Sequence, residues 1–129
     1  MRIFYKILTI VLGVPILVFV FFLGSFLLVE GYNIFDPYID TEFAKNYTFE
    51  KFDLIEMNFT KEEVINILGE PLSKNTWKNE IQFMYTRDSY LSKKSKRKYL
   101  IRDFAWYRSN IYFDTKGVIT RIDKGWSYD

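Results

Sequence analysis

The chain is 129 residues long, 49% hydrophobic and 26% charged, with a formal net charge of +2 and neither Cys nor His. That is room for one small domain and an anchor; the missing Cys excludes a disulfide framework, a thiolate metal site and a lipid-modified N-terminal Cys, and the missing His removes the commonest general base and metal ligand. The small net charge argues against a dedicated nucleic-acid binder.

Aromatic residues make up 20% of the chain, 13 Phe and 10 Tyr among them, a composition that suits a thin core filled by large side chains. Charge is segregated along the chain. Residues 30–70 hold ten acids against Lys45, Lys51 and Lys61, whereas residues 87–108 hold eight bases against Asp88 and Asp103. The two stretches therefore attract each other on folding.

Arg2 and Lys6 precede an uncharged run, residues 7–29. As a helix rising about 1.5 Å per residue, the run spans roughly 34 Å, enough to cross a hydrocarbon core. The alternative is a cleaved signal peptide, whose apolar stretch covers about 7–15 residues and ends in a small-x-small site. This run is longer, and Phe26, Leu27, Leu28 and Val29 offer no such site, which favours a retained transmembrane helix. Gly13 and Pro15 are tolerated in a membrane helix and can kink it. Glu30, Asp36 and Asp40 follow the span, so the positive-inside rule puts the N-terminus in the cytoplasm and the rest outside. In a bacterium with two membranes this means the inner membrane and the periplasm. The expected layout is residues 1–31 as cytoplasmic end and membrane helix, with the lipid bilayer as partner of residues 7–29. Residues 32–56 follow as a tether and irregular or helical packing segment, and residues 57–129 as the exported domain. Tyr32, Phe35 and Tyr38 are expected at the membrane interface, where amphipathic rings are favoured.

Within residues 33–58, Pro37 argues for a turn. Phe43, Tyr47, Phe49 and Phe52 follow without a clean period of two or 3.6, and we expect these rings to pack on the domain. Asn46, Tyr47 and Thr48 fit the glycosylation pattern by chance.

The stretch from Phe59 to Pro71 predicts one short, punctuated helix. Thr60 is an N-cap with Glu63 three residues on, a capping box, and Phe59 and Val64 stand as the hydrophobic staple. Glu62 and Glu63 complement the helix dipole, Gly69 suits the left-handed residue that ends the helix, and Pro71 prevents continuation. Val64, Ile67 and Leu68 share one face. A helix this short must pack that face on something to persist, and the partner is the aromatic-rich stretch from Ile81 to Trp126. Residues 73–80 read as a polar loop containing Trp77. Ile81, Phe83 and Tyr85 alternate with Gln82, Met84 and Thr86 as a strand. In a further extended stretch, Ala105, Tyr107, Ile111 and Phe113 face the helix, with Phe104, Trp106, Arg108 and Tyr112 on the other side. Residues 114–117 form a tight turn with Gly117 at its left-handed position, and Val118, Thr120 and Ile122 alternate as the last strand. The expected class is α+β: an N-terminal transmembrane helix, then one or two short helices on a roughly three-stranded antiparallel sheet, an ααβββ-like arrangement.

Asn58-Phe-Thr-Lys-Glu-Glu-Val-Ile-Asn-Ile-Leu-Gly-Glu-Pro71 resembles the G-M-T-x-x-x-V-x-x-x-L-G-x-P signature of the SmpA/OmlA family, which includes the BamE-type subunit of outer-membrane protein assembly. Phe83-Met-Tyr85 stands where those domains have a Trp/Phe-x-Tyr strand, and Ile111-Tyr-Phe-Asp114 with Lys116-Gly-Val118 resembles their v-x-F-d-x-x-G-x-V hairpin. The likeness covers about half the chain. Asn58 replaces the Gly before the helix, and the apolar run stands in place of the lipobox Cys of outer-membrane members. The same two-helix, three-strand unit resembles the repeats of β-lactamase-inhibitor proteins, so fold alone does not decide function.

The basic run Lys93, Lys94, Lys96, Arg97 and Lys98 reads either as a solvated loop or as a site for anionic headgroups or an acidic partner. Trp77, Trp106 and Trp126 read as core or half-covered sheet surface, and Trp106 is the best placed of them for a partner, since an open sheet face is a usual docking place. Glu62 and Glu63 are explained as dipole complements and Asp114 as a turn residue. No nucleophile–base pair, P-loop or zinc spacing is present. The expectation is a non-catalytic protein without cofactor or bound nucleic acid, an interaction or scaffold module whose partner is another envelope protein. The alternatives are a periplasmic inhibitor or immunity-type protein with one specific partner, and a sensor of anionic lipid or envelope polymer.

Overall fold

A computed structural model describes residues 1–29, 31, 33, 35–89 and 104–128. The basic residues Lys93, Lys94, Lys96, Arg97 and Lys98 lie outside the described residues. The chain begins with α1 (Arg2–Val29). Its segment Arg2–Ser25 is long and apolar enough to cross a membrane and none of it is buried against the domain; an N-terminal signal sequence passes the same test of length and composition.

An α+β domain follows. It comprises β1 (Thr41–Phe43), α2 (Phe49–Asp53), α3 (Lys61–Leu68), β2 (Ser73–Trp77), β3 (Glu80–Met84), β4 (Thr86–Asp88), β5 (Trp106–Phe113) and β6 (Ile119–Ser127). All pairings are antiparallel: a four-stranded sheet in the order β2-β3-β5-β6 and a two-stranded ribbon of β1 and β4. The main sheet thus has one strand more than the expected three. The stretch read as a polar loop is β2 and its turn, because Lys74, Asn75 and Thr76 pair with Phe83, Gln82 and Ile81. A polar edge strand shows no hydrophobic alternation to mark it. The segment expected as tether and packing piece supplies β1, α2 and the core residues Ala44, Tyr47, Phe52 and Ile55.

The capped helix forms as its residues dictate. Thr60 N–H donates to Glu63 Oε2 at 2.8 Å and Glu63 N–H to Thr60 Oγ1 at 3.4 Å, closing the capping box. The backbone bond to Thr60 holds the Glu63 carboxyl below the usual carboxylate range. Gly69 has φ +76° and ψ −168°, an extended left-handed combination that only glycine adopts without strain. A Cβ there would stand 2.8 Å from Asn46 Nδ2. Val64 and Leu68 are fully buried against Phe83, Tyr85, Ile111, Phe113 and Ile119.

Helix and hairpin are tied together. Lys61 N–H donates to Gly117 O at 3.1 Å and Ile119 N–H to Phe59 O at 3.2 Å. In the turn, Asp114 Oδ1 accepts from Lys116 N–H at 2.9 Å and Val118 N–H at 3.0 Å, bonds that lower its pKa, the one to Val118 most. A register shift at Tyr112 and Phe113 then pairs Phe113 with Ile119 and Tyr112 with Arg121. Ile119 therefore takes the core position and Thr120 is exposed, so the simple alternation expected of Val118, Thr120 and Ile122 is broken by a bulge.

Tyr85 interrupts the edge between β3 and β4, where the strand changes partner. Its N–H reaches Ser109 O at 3.0 Å, its carbonyl accepts from Ala44 N–H at 2.8 Å, and its hydroxyl donates to Gly69 O at 3.0 Å. Beyond this bend threonine hydroxyls replace ladder bonds: Ser109 N–H donates to Thr86 Oγ1 at 2.7 Å and Tyr107 N–H to Thr41 Oγ1 at 2.8 Å. Tyr47 Oη and Ser109 Oγ share a buried hydrogen bond of 2.8 Å, and burial pushes the Tyr47 phenol up to about 12.

Candidate functional site

Antiparallel register puts directly paired residues on the same face. One face of the four-stranded sheet receives α2 and α3: Phe52, Val64 and Leu68 share a single apolar cluster with Phe83, Ile111, Phe113 and Ile119. Among the described residues, no helix packs on the other face.

That open face is a ladder of cross-strand rows. In the first row Asn75, Gln82, Tyr112 and Arg121 stand side by side. Asn75 Nδ2 donates to Gln82 Oε1 at 3.1 Å and Gln82 Nε2 to the Tyr112 hydroxyl at 2.9 Å. The Arg121 guanidinium lies 3.6 Å from the centre of the Tyr112 ring, a cation–π contact, and reaches Glu80 at 4.0 Å. The second row is Ser73, Met84, Asn110 and Asp123. Asn110 is only 3% exposed, and its Oδ1 has no hydrogen-bond partner. Arg108 pairs with Gly125 in the third row and Trp106 with Ser127 in the fourth. Arg108 Nη2 donates to Asp123 Oδ1 at 3.3 Å, while its Nε lies 3.0 Å from Oδ2 but off the hydrogen-bond direction. A Cβ on Gly125 would meet nothing within 4 Å, so the surface opposite Arg108 is open.

The three tryptophans part company. Trp106 lies partly buried on the open face, as expected from the alternation. Trp126 is on the covered side, stacked on Tyr38 at 5.2 Å and edge-on to Tyr107 at 5.4 Å. Trp77 is 58% exposed beside the β2–β3 turn, where Lys78 has φ 49°. Gln82, Tyr112, Arg121, Arg108 and Asp123 were not singled out by sequence reasoning. Alternation marks each as facing away from the core, but only the register across four strands makes them neighbours.

The remaining polar groups serve the fold. Asp40 is fully buried and ties three points together: its carbonyl accepts from Ser89 N–H at 3.0 Å, Oδ1 from Ser89 Oγ at 3.0 Å and Oδ2 from Phe104 N–H at 2.6 Å. Lys124 is paired with Asp53, which raises its pKa, and Arg87 with Glu42 at 2.7 Å. A shallow depression of about 210 Å³ is lined by Phe43, Tyr47, Thr48, Phe49 and Glu50; it is a dip in the aromatic layer beside the α2 cap. Among the described residues, no three acidic side chains converge in a way that could hold a metal ion. In comparisons with known proteins, the chain matches no family model and no curated protein.

Proposed function

We propose that the protein is a non-catalytic, membrane-anchored docking module of SmpA/OmlA type, and that its partner is another protein of the bacterial envelope. In this reading α1 is a retained span in the inner membrane, with the N-terminus cytoplasmic and the α+β domain in the periplasm. The observation that carries the docking role is the asymmetry of the sheet. Both domain helices lie on one side, and the other side presents Trp106, Arg108, Arg121 and Asp123 as a mixed aromatic and charged surface over the buried Tyr112. Aromatic and Arg side chains are the types that dominate protein interfaces, and mixed charge on the surround gives orientation and partner choice. The family resemblance is supported by the closed capping box, the positive-φ Gly69 and the hairpin turn at Asp114 and Gly117.

The test is photo-crosslinking in native membranes with benzoylphenylalanine in place of Trp106 or Arg121, and in place of Asn66 on the exposed side of α3. A discrete adduct from the first two positions and none from Asn66 is the expected result. Equal labelling from all three positions, or none from any, overturns the proposal. One saturable partner would favour an inhibitor or immunity role within the same docking mode, and a set of partners an assembly role.

A further inference from the structure

The end of the sheet where β5 begins and β6 ends is held close to the end of α1. Gly31, two residues past α1, accepts at 3.1 Å from the N–H of Ala105, the residue before Trp106. Two residues of extended chain cover at most about 7 Å, and the headgroup layer on one side of a bilayer is roughly 5–7 Å deep. A helix embedded up to Val29 therefore holds Ala105 within about 10 Å of the hydrocarbon edge, at or just above that layer.

The side chains at this end fit such a place. Asn33 Oδ1 accepts from Phe35 N–H at 2.9 Å and Asp36 N–H at 3.1 Å, a tight Asx-type turn. Its tip is Phe35, 99% exposed, an apolar ring that water does not favour. Tyr128, 59% exposed, follows Ser127, the register partner of Trp106. A Trp and a Tyr around the exit of a membrane helix are the ring types that settle at the boundary of headgroups and acyl chains, and an exposed Phe beside them enters its apolar side. The opposite end differs. From Trp106 the sheet runs eight residue steps to the level of Glu80 and Trp77, about 26 Å away at 3.3 Å per residue, where the exposed turn is Lys78 and Asn79.

We propose that the sheet end carrying Phe35, Trp106 and Tyr128 is seated in the headgroup layer of the bilayer that α1 crosses, with a phospholipid surface as its ligand. The domain then stands end-on, its open face presented sideways along the membrane so that Trp106 meets a protein partner at headgroup level, and its Trp77 turn furthest from the bilayer. This rests on the reading of α1 as a retained span.

The chain has no Cys, so single cysteines can be spin-labelled without background. The full chain is reconstituted in vesicles of phosphatidylcholine and phosphatidylglycerol with the label at Phe35→Cys, Tyr128→Cys, Asn79→Cys or Phe19→Cys, and collision with oxygen is compared with collision with a water-soluble nickel chelate. The expected result is a lipid-buried signal at 19, an interfacial signal at 35 and 128 with several-fold less nickel collision than at 79, and an aqueous signal at 79. If 19 reads lipid while 35 and 128 read as aqueous as 79, the seating is overturned and the anchor stands. If 79 is as shielded as 35 and 128, the end-on seating is overturned. If 19 itself reads water, the anchor fails and the seating with it.

Discussion

Tyr112 and Phe113 are neighbours in β5, yet they belong to two different surfaces. Phe113 is fully enclosed, its ring 4.7 Å from that of Phe83, in a face closed by Val64 and Leu68 from α3. Tyr112 is also almost buried, but under polar and charged groups: a Gln82 amide on its hydroxyl and the Arg121 guanidinium over its ring. Burial on the first face comes from a second layer of the fold; on the second, the contacts on Tyr112 among the described residues are side chains of the same sheet. The first is therefore the source of stability. The second is ordered without being consumed by the fold, the condition for a surface that meets a partner already arranged.

Three substitutions separate these roles, beginning with the greatest loss. Phe113→Ala removes a fully buried ring from the closed face and should cost about 3–5 kcal/mol of unfolding free energy. Denaturant titration of the reconstituted chain measures it, and a loss well under that range would mean the closed face is not the core.

Tyr47→Phe sharpens the comparison from within the closed face. It strips the buried hydroxyl that pairs with Ser109 and should cost about 1–2 kcal/mol. It should also change the alkaline profile. An unfolded tyrosine ionises near its ordinary value of 10, whereas the folded Tyr47 phenol holds its proton to about 12. The folded state then binds more protons between these values, so wild-type stability is fully present below pH 10 and declines as pH rises to 12. The variant should decline less steeply; the remaining slope belongs to Tyr85, whose pKa burial also raises, and to Lys124, whose pair with Asp53 raises its own. An unchanged slope would show that Tyr47 does not titrate with unfolding.

Arg121→Ala on the open face should cost about 1 kcal/mol or less, the scale of one exposed cation–π contact and a long ion pair. It should nonetheless weaken the crosslinked adduct captured from position 106. A large loss of stability with the adduct intact would reverse the roles assigned to the two faces.

How far the chain's pattern reaches is visible in particular segments. Thr60, Glu63, Gly69 and Asp114 settle α3 and the hairpin turn through bonds spanning two to four residues, and the uncharged run settles α1 through composition alone. These were readable because the partners are within one turn of chain. β2 was not, since Ser73–Trp77 has no apolar alternation and becomes a strand only by pairing with β3. β1 and β4 were not, because Glu42 and Arg87 are 45 residues apart before the ribbon aligns them.

The sequence by itself thus determined the membrane-length helix, the capped helix with its apolar face, the hairpin and the α+β class. Only the tertiary structure decided which polar residues became neighbours on the open face, that Asp40 joins Ser89 to Phe104, and that Ala105 meets Gly31 at the end of α1. The physical reason is the range of the forces involved. Caps, turns and hydrophobic period act within a few residues, whereas strand register is decided by pairing between distant segments, where a shift of one residue would exchange every side chain between the two faces.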